Sequence, residues 1–98
     1  MVIEANVTRD TELFSKMDLF TEIKFMNDKQ RTKVADEAGK TPKWNQELIF
    51  TVNDQNGLFH IAVYDEDIAS NDVVGEMQIS AKDLIKKGQA WHPIYYKN

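Results

Sequence analysis

Apolar and polar positions alternate with a period of two along most of this chain, the spacing of half-buried β-strands. "FTEIKF" (20–25) sets Phe20, Glu22 and Lys24 on one face and Thr21, Ile23 and Phe25 on the other. "ELIFTV" (47–52) lines up Leu48, Phe50 and Val52, and "LFHIAVYD" (58–65) lines up Phe59, Ile61 and Val63. Weaker or shorter patterns mark strands at 2–7, at the basic "QRTKVA" (30–35), at "VVGEMQI" (73–79) and at "WHPIYY" (91–96). Asn56-Gly57 is a hairpin signal between two of them, and the glycine at 75 predicts a bulge. Pro93 sends the last strand to an edge or makes it irregular. One helix is expected at 81–87, with Ser80 as its cap, Asp83 three residues on and Gly88 ending it. Short strands at this spacing predict an all-β fold, an antiparallel Greek-key β-sandwich of about seven to eight strands with that one helix.

The chain has 98 residues, 42% hydrophobic and 29% charged, which suits a single domain over 1–98. It contains no Cys, so disulfides and thiolate metal sites are excluded. That fits a reducing compartment. A formal net charge of −4 argues against nucleic acid as a partner. No apolar run approaches the ~20 residues of a membrane span, and "MVIEANVTRD" lacks the apolar core of a signal peptide.

The negative charge is concentrated. "YDEDIASNDVVGE" (64–76) holds Asp65, Glu66, Asp67 and Asp72 with no basic residue between them, and 10–18 holds Asp10, Glu12 and Asp18. At ~5 Å in an effective dielectric of about 20, each carboxylate pair repels by roughly 3 kcal/mol. Such loops either splay into solvent or hold a cation. In a sandwich the loops cluster at the two ends, so 10–18 and 65–72 can pool their carboxylates at one end. Pooled carboxylates, carbonyls and hydroxyls match calcium, which takes six to eight oxygens in a flexible cage. The two histidines, His60 and His92, fall on expected strands away from these loops, which disfavours zinc. An EF-hand is excluded, because Ala69 and Ser70 occupy the positions that need an oxygen ligand and the turn glycine, and the flanks read as strands.

Three segments carry a family resemblance: "FSKMDLF", "GKTPKWNQELIFTV" and "VYDEDIASNDVVGE". In this order and spacing they resemble the first-loop, Trp-Asn and third-loop segments of the C2 domain, a calcium-dependent phospholipid-binding module, over nearly the whole chain. The resemblance implies Ca²⁺ ligands at Asp18, Asp65, Asp67 and Asp72. Glu12 stands where the family usually has Asp. Ser70 adds a hydroxyl, and the backbone carbonyls of Thr11 and Glu66 complete the set. The third loop is one residue shorter than in the commonest members.

Without calcium, these carboxylates repel an anionic membrane. With the ion bound, the loop tips approach neutrality and a lipid phosphate can complete its coordination. Leu13, Phe14 and Ile68 are the apolar side chains expected to insert. A secondary phosphoinositide contact is implied at Lys24, Arg31, Lys33 and Tyr64, although Glu22 and Phe20 depart from the family pattern there. Trp44 is expected to be a packed anchor. The expected function is calcium-regulated binding to anionic phospholipid membranes. Its alternative is a calcium-independent protein- or lipid-interaction module. The expected location is cytoplasmic, with peripheral membrane attachment when calcium binds. No nucleophile–base pair is readable, so enzymatic activity is not expected. The family's sandwich has eight strands where seven are counted here. The further expectation is therefore a domain lacking one terminal strand, either part of a longer protein or completed by self-association or a strand-adding partner.

Overall fold

A computed structural model of the chain describes residues 2–4, 17–35, 42–66, 71–88, 91 and 94. Within them run β1 (Val2–Glu4), β2 (Leu19–Phe25), β3 (Asp28–Arg31), β4 (Lys43–Gln46), β5 (Leu58–Glu66), β6 (Asn71–Ser80) and α1 (Ala81–Lys87). All pairings are antiparallel. One sheet has the order β3-β2-β5-β6, and β1 pairs with β4 in a second sheet.

The strands on 20–25, 58–65 and 73–79 form where the alternation places them. Two others differ. The strand expected at 30–35 is Asp28–Arg31, and beyond it the chain keeps only an isolated bridge from Ala35 to Leu19. Thr32 accounts for the break: its amide donates to the Thr21 carbonyl at 2.8 Å, and its Oγ1 accepts the Thr21 amide at 3.0 Å. A hydroxyl here replaces a ladder carbonyl. The strand expected at 47–52 forms no ladder among the described residues; Lys43–Gln46 is the paired segment instead. The register sets Val2 opposite Gln46 and Glu4 opposite Lys43, one extra residue on β4. That residue is accommodated by Asn45 at φ 46°, a left-handed conformation that Asn tolerates. With Gln46 opposite Val2, residues 47–52 run past β1. Their alternation survives as packing, since Leu48, Phe50 and Val52 are half-buried while Ile49 and Thr51 are exposed.

Two apolar clusters fill the interior. Met17, Leu19, Trp44, Val63 and Val74 lie between the two sheets, with Val2, Ala35 and Ile94 packed against them. Phe25, Phe59, Ile79 and Ala81 form the second, joined by Phe50, Val52 and Leu84. Trp44 is the anchor expected of it: it is buried, and its Nε1 donates to the Leu19 carbonyl at 3.1 Å, tying β4 to β2.

The helix matches its expected bounds. Ser80 Oγ accepts the Asp83 amide at 3.1 Å, and Gly88, at φ 62°, donates its amide to the Leu84 carbonyl. The 54–57 turn closes with Gly57 N–H on the Asp54 carbonyl, and it also supplies carbonyls to the first helical amides, Ala81 on Gly57 and Lys82 on Gln55. These amides have no partner within the helix itself. Of the expected strand at 91–96, only Trp91 and Ile94 are described, and neither is in a strand.

Candidate functional site

The strands bring three of the expected acidic positions to one end of the four-stranded sheet. β2 begins at Leu19, whose partner on β5 is Asp65, and Asp65 in turn faces Asp72 on β6. Asp18 immediately precedes β2. The rung that pairs Asp65 with Asp72 depends on a bulge. Val63 faces Gly75 but Tyr64 faces Val73, so Val74 is an extra residue on β6. Without it, Asp65 would face Val73. The bulge sits beside the expected glycine, and it turns the acidic end of β6 onto the acidic end of β5.

Asp65 is fully buried, whereas Asp18 and Asp72 are half-buried and Glu66 is exposed. A buried carboxylate needs hydrogen bonds. Asp65 Oδ1 accepts the Asp18 amide at 3.0 Å, and the Glu66 amide donates to the Asp18 carbonyl at 2.9 Å. Among the described residues at this end the donors are carboxylate and carbonyl oxygens, which in kind fit a hard cation such as calcium. Among the described residues, however, no group of three or more His, Cys, Asp or Glu side chains is close enough to hold a metal. The remaining expected ligands, Thr11, Glu12, Asp67 and Ser70, and the expected insertion residues Leu13, Phe14 and Ile68, lie outside the described residues.

A second feature is the outer face of the same sheet. The registers put Phe20 beside Tyr64, Glu22 beside Arg31 and Ala62, and Lys24 beside Lys29 and His60. Phe20 stacks on Tyr64 with ring centroids 5.4 Å apart, and the Arg31 guanidinium lies 5.1 Å over the Phe20 ring. That cover explains why Phe20 is buried on a face it shares with Glu22 and Lys24. Burial, then the charges of Glu22 and Glu76, raise the Tyr64 pKa above its ordinary value. Lys29 approaches Glu22 at 3.9 Å, and His60 Nε2 lies 2.9 Å from Glu76 Oε1. Lys24, Arg31 and Tyr64 therefore share one face, with carboxylates interleaved. Lys33 lies past β3, its amide donating to Gln46 Oε1 at 2.8 Å.

The sequence did not point to Lys29, Glu76 or the Asp18 amide as parts of these constellations. The first two emerge only when strand registers are known. The third is a backbone group and leaves no mark in residue type.

Fold and acidic end together describe an antiparallel sandwich with carboxylates gathered at one end of its four-stranded sheet. The C2 domain family model matches residues 1–94, and the chain belongs to the C2 domain family. Among similar proteins, 16 kDa phloem protein 2 of Arabidopsis thaliana is 27% identical over 90% of this chain and 60% of its own length. Protein SRC2 homolog of the same plant is 32% identical over 90% of this chain and 30% of its own length. The chain thus spans 60% and 30% of these two relatives. A C2 domain of plant Extended Synaptotagmin 1 superposes with a TM-score of 0.74 at 29% identity, covering 84% of this chain and 66% of that one. The calcium-bound pair of C2 domains from Extended-Synaptotagmin 2 shares the fold, with a TM-score of 0.71 at 23% identity over 88% of this chain and 34% of theirs. The fold is that of a membrane-, lipid- or protein-interaction module. Among the described residues no helix is long and apolar enough to cross a membrane.

Proposed function

We propose that this chain is a calcium-regulated module that binds anionic phospholipid membranes, peripherally, through the acidic end of its sandwich, and that it catalyses no reaction. The observation that carries this reading is the convergence of Asp18, Asp65 and Asp72 from three separate segments onto one end of the sheet. Family membership supports the choice of calcium, and so do the oxygen donors of Asp18, Asp65 and Asp72.

Asp18, Asp65 and Asp72, with Glu12, Asp67, Ser70 and the carbonyls of Thr11 and Glu66, would hold the ion. When bound, calcium supplies positive charge that offsets these carboxylates and an open coordination position for a lipid phosphate. The chain's own part follows from its charges. Carboxylates gathered at one end hold that end away from a negative surface until they are neutralised. Leu13, Phe14 and Ile68 then add apolar contact, each worth less than the ~1.5–3 kcal/mol of full burial.

The test is the thermal melt. Calcium that binds the folded cage and not the unfolded chain stabilises the fold, by about 2.7 kcal/mol at a hundredfold excess over Kd. For a domain of this size that is roughly 10–20 °C in Tm. Asp65→Asn with Asp67→Asn should remove the shift and keep a cooperative melt. A parent whose Tm ignores calcium would favour the calcium-independent interaction module.

A further inference from the structure

Asp65 differs from its acidic neighbours. Asp18 and Asp72 are each partly open to solvent, but Asp65 has no exposed surface. Burying a carboxylate is unfavourable unless its oxygens are hydrogen-bonded. One bond is to the Asp18 amide, 47 positions earlier in the chain, at 3.0 Å. The next peptide group is held as well, because the Asp18 carbonyl accepts the Glu66 amide at 2.9 Å. The ladder between β2 and β5 has its last pair at Leu19 and Asp65. The side chain of Asp65 therefore continues that ladder one residue past the end of β2.

We propose that Asp65 is a positioning residue: it clamps the Asp18 peptide to the end of β5 before any cation binds, and so fixes where the Asp18 carboxylate emerges. For its ligand this inference rests on the calcium reading above; the clamp itself does not. The bond is charge-assisted, which makes it stronger than an amide–amide bond. Its consequence is preorganisation. The clamp ties the residue before β2 to the end of β5, and ordering that it already provides does not have to accompany ion binding. Mutating Asp65 removes two things at once, a charge and a spacing. Substitutions that separate the two have different effects.

The experiment compares Asp65→Asn, which keeps an acceptor oxygen, with Asp65→Leu, which keeps only the shape. Amide hydrogen exchange at Asp18 and Glu66 is followed by NMR in chelator, and Kd for Ca²⁺ is measured by calorimetry with calcium chloride. The Asn variant should leave Asp18 exchange within about threefold of the parent, and the Leu variant should speed it about tenfold or more. Calcium affinity should fall about tenfold in the Asn variant and about tenfold further in the Leu variant. If the Leu variant does not fold, Asp65→Ala takes its place under the same criteria. Equal Asp18 exchange in the two variants, or equal calcium affinity in both, would overturn the proposal. A parent that binds no calcium, with the exchange difference still present, would remove the calcium reading and uphold the clamp.

Discussion

A tyrosine hydroxyl set near two glutamates resists ionisation. Tyr64 is held protonated by burial first, then by Glu22 and Glu76. The folded chain keeps this proton at pH values where the unfolded chain has released it. Below about pH 10, the ordinary tyrosine value, both states are protonated and the contribution to stability is complete. As pH rises above that value and through the raised folded one, the contribution is lost. Tyr64→Phe should therefore flatten the alkaline decline of urea-melt stability relative to the parent. Parallel slopes above about pH 10 would show that Tyr64 does not contribute. At this scale the sequence was legible in residue type and silent on contact. Asp18, Asp65 and Asp72 could be singled out as acidic positions in loops. That Asp65 would be wholly buried and bonded to a main-chain amide could not, since a backbone donor exists at almost every position.

Elements set by local chemistry were readable to the residue. The helix begins after Ser80 and ends before Gly88 because both caps act within one turn. Ser80→Ala should cost about 1 kcal/mol, seen in a chemical melt with an unchanged slope; a loss below a few tenths would mean the cap is not used. Elements set by distant partners were less readable. The alternation over 47–52 reports which side chains pack inward, and it says nothing about whether β1 is alongside. The pairing of Lys43–Gln46 turns on a left-handed Asn45, and the β2–β3 hairpin turns on Met26 at φ 56°, a residue with no turn preference. Gly75 marks the bulge as its residue type suggests, but its second role is steric. A Cβ there would lie 2.8 Å from Ile94 Cδ1 and 2.9 Å from Cγ1. Gly75→Ala should destabilise by about 1–3 kcal/mol. The cost should shrink in an Ile94→Ala background, because the two side chains compete for one space. Additive effects in that double-mutant cycle would mean that Ile94 does not press on Gly75.

At the scale of the molecule the two ends of the sheet differ in charge. One end carries Asp18, Asp65, Glu66 and Asp72, and the other mixes Lys82, Lys86 and Lys87 with Asp28, Asp54 and Asp83. Under the reading proposed above, calcium would act on the first of these ends. The function could be read from sequence only in part. Family membership and the all-β sandwich rest on motifs spread over the chain, and these survive in any register. The outer face does not read so simply, because Glu22 and Glu76 are interleaved with Lys24, Lys29, Arg31 and His60 only after β2, β3, β5 and β6 are aligned. The central claim is that calcium and an anionic surface are needed together. It is tested most directly by sedimenting the protein with vesicles of phosphatidylserine and phosphatidylcholine, and with phosphatidylcholine alone, each in calcium and in chelator. The account predicts that protein pellets only with phosphatidylserine and calcium present, and that added salt weakens this binding. Equal pelleting with phosphatidylserine vesicles in calcium and in chelator would contradict it.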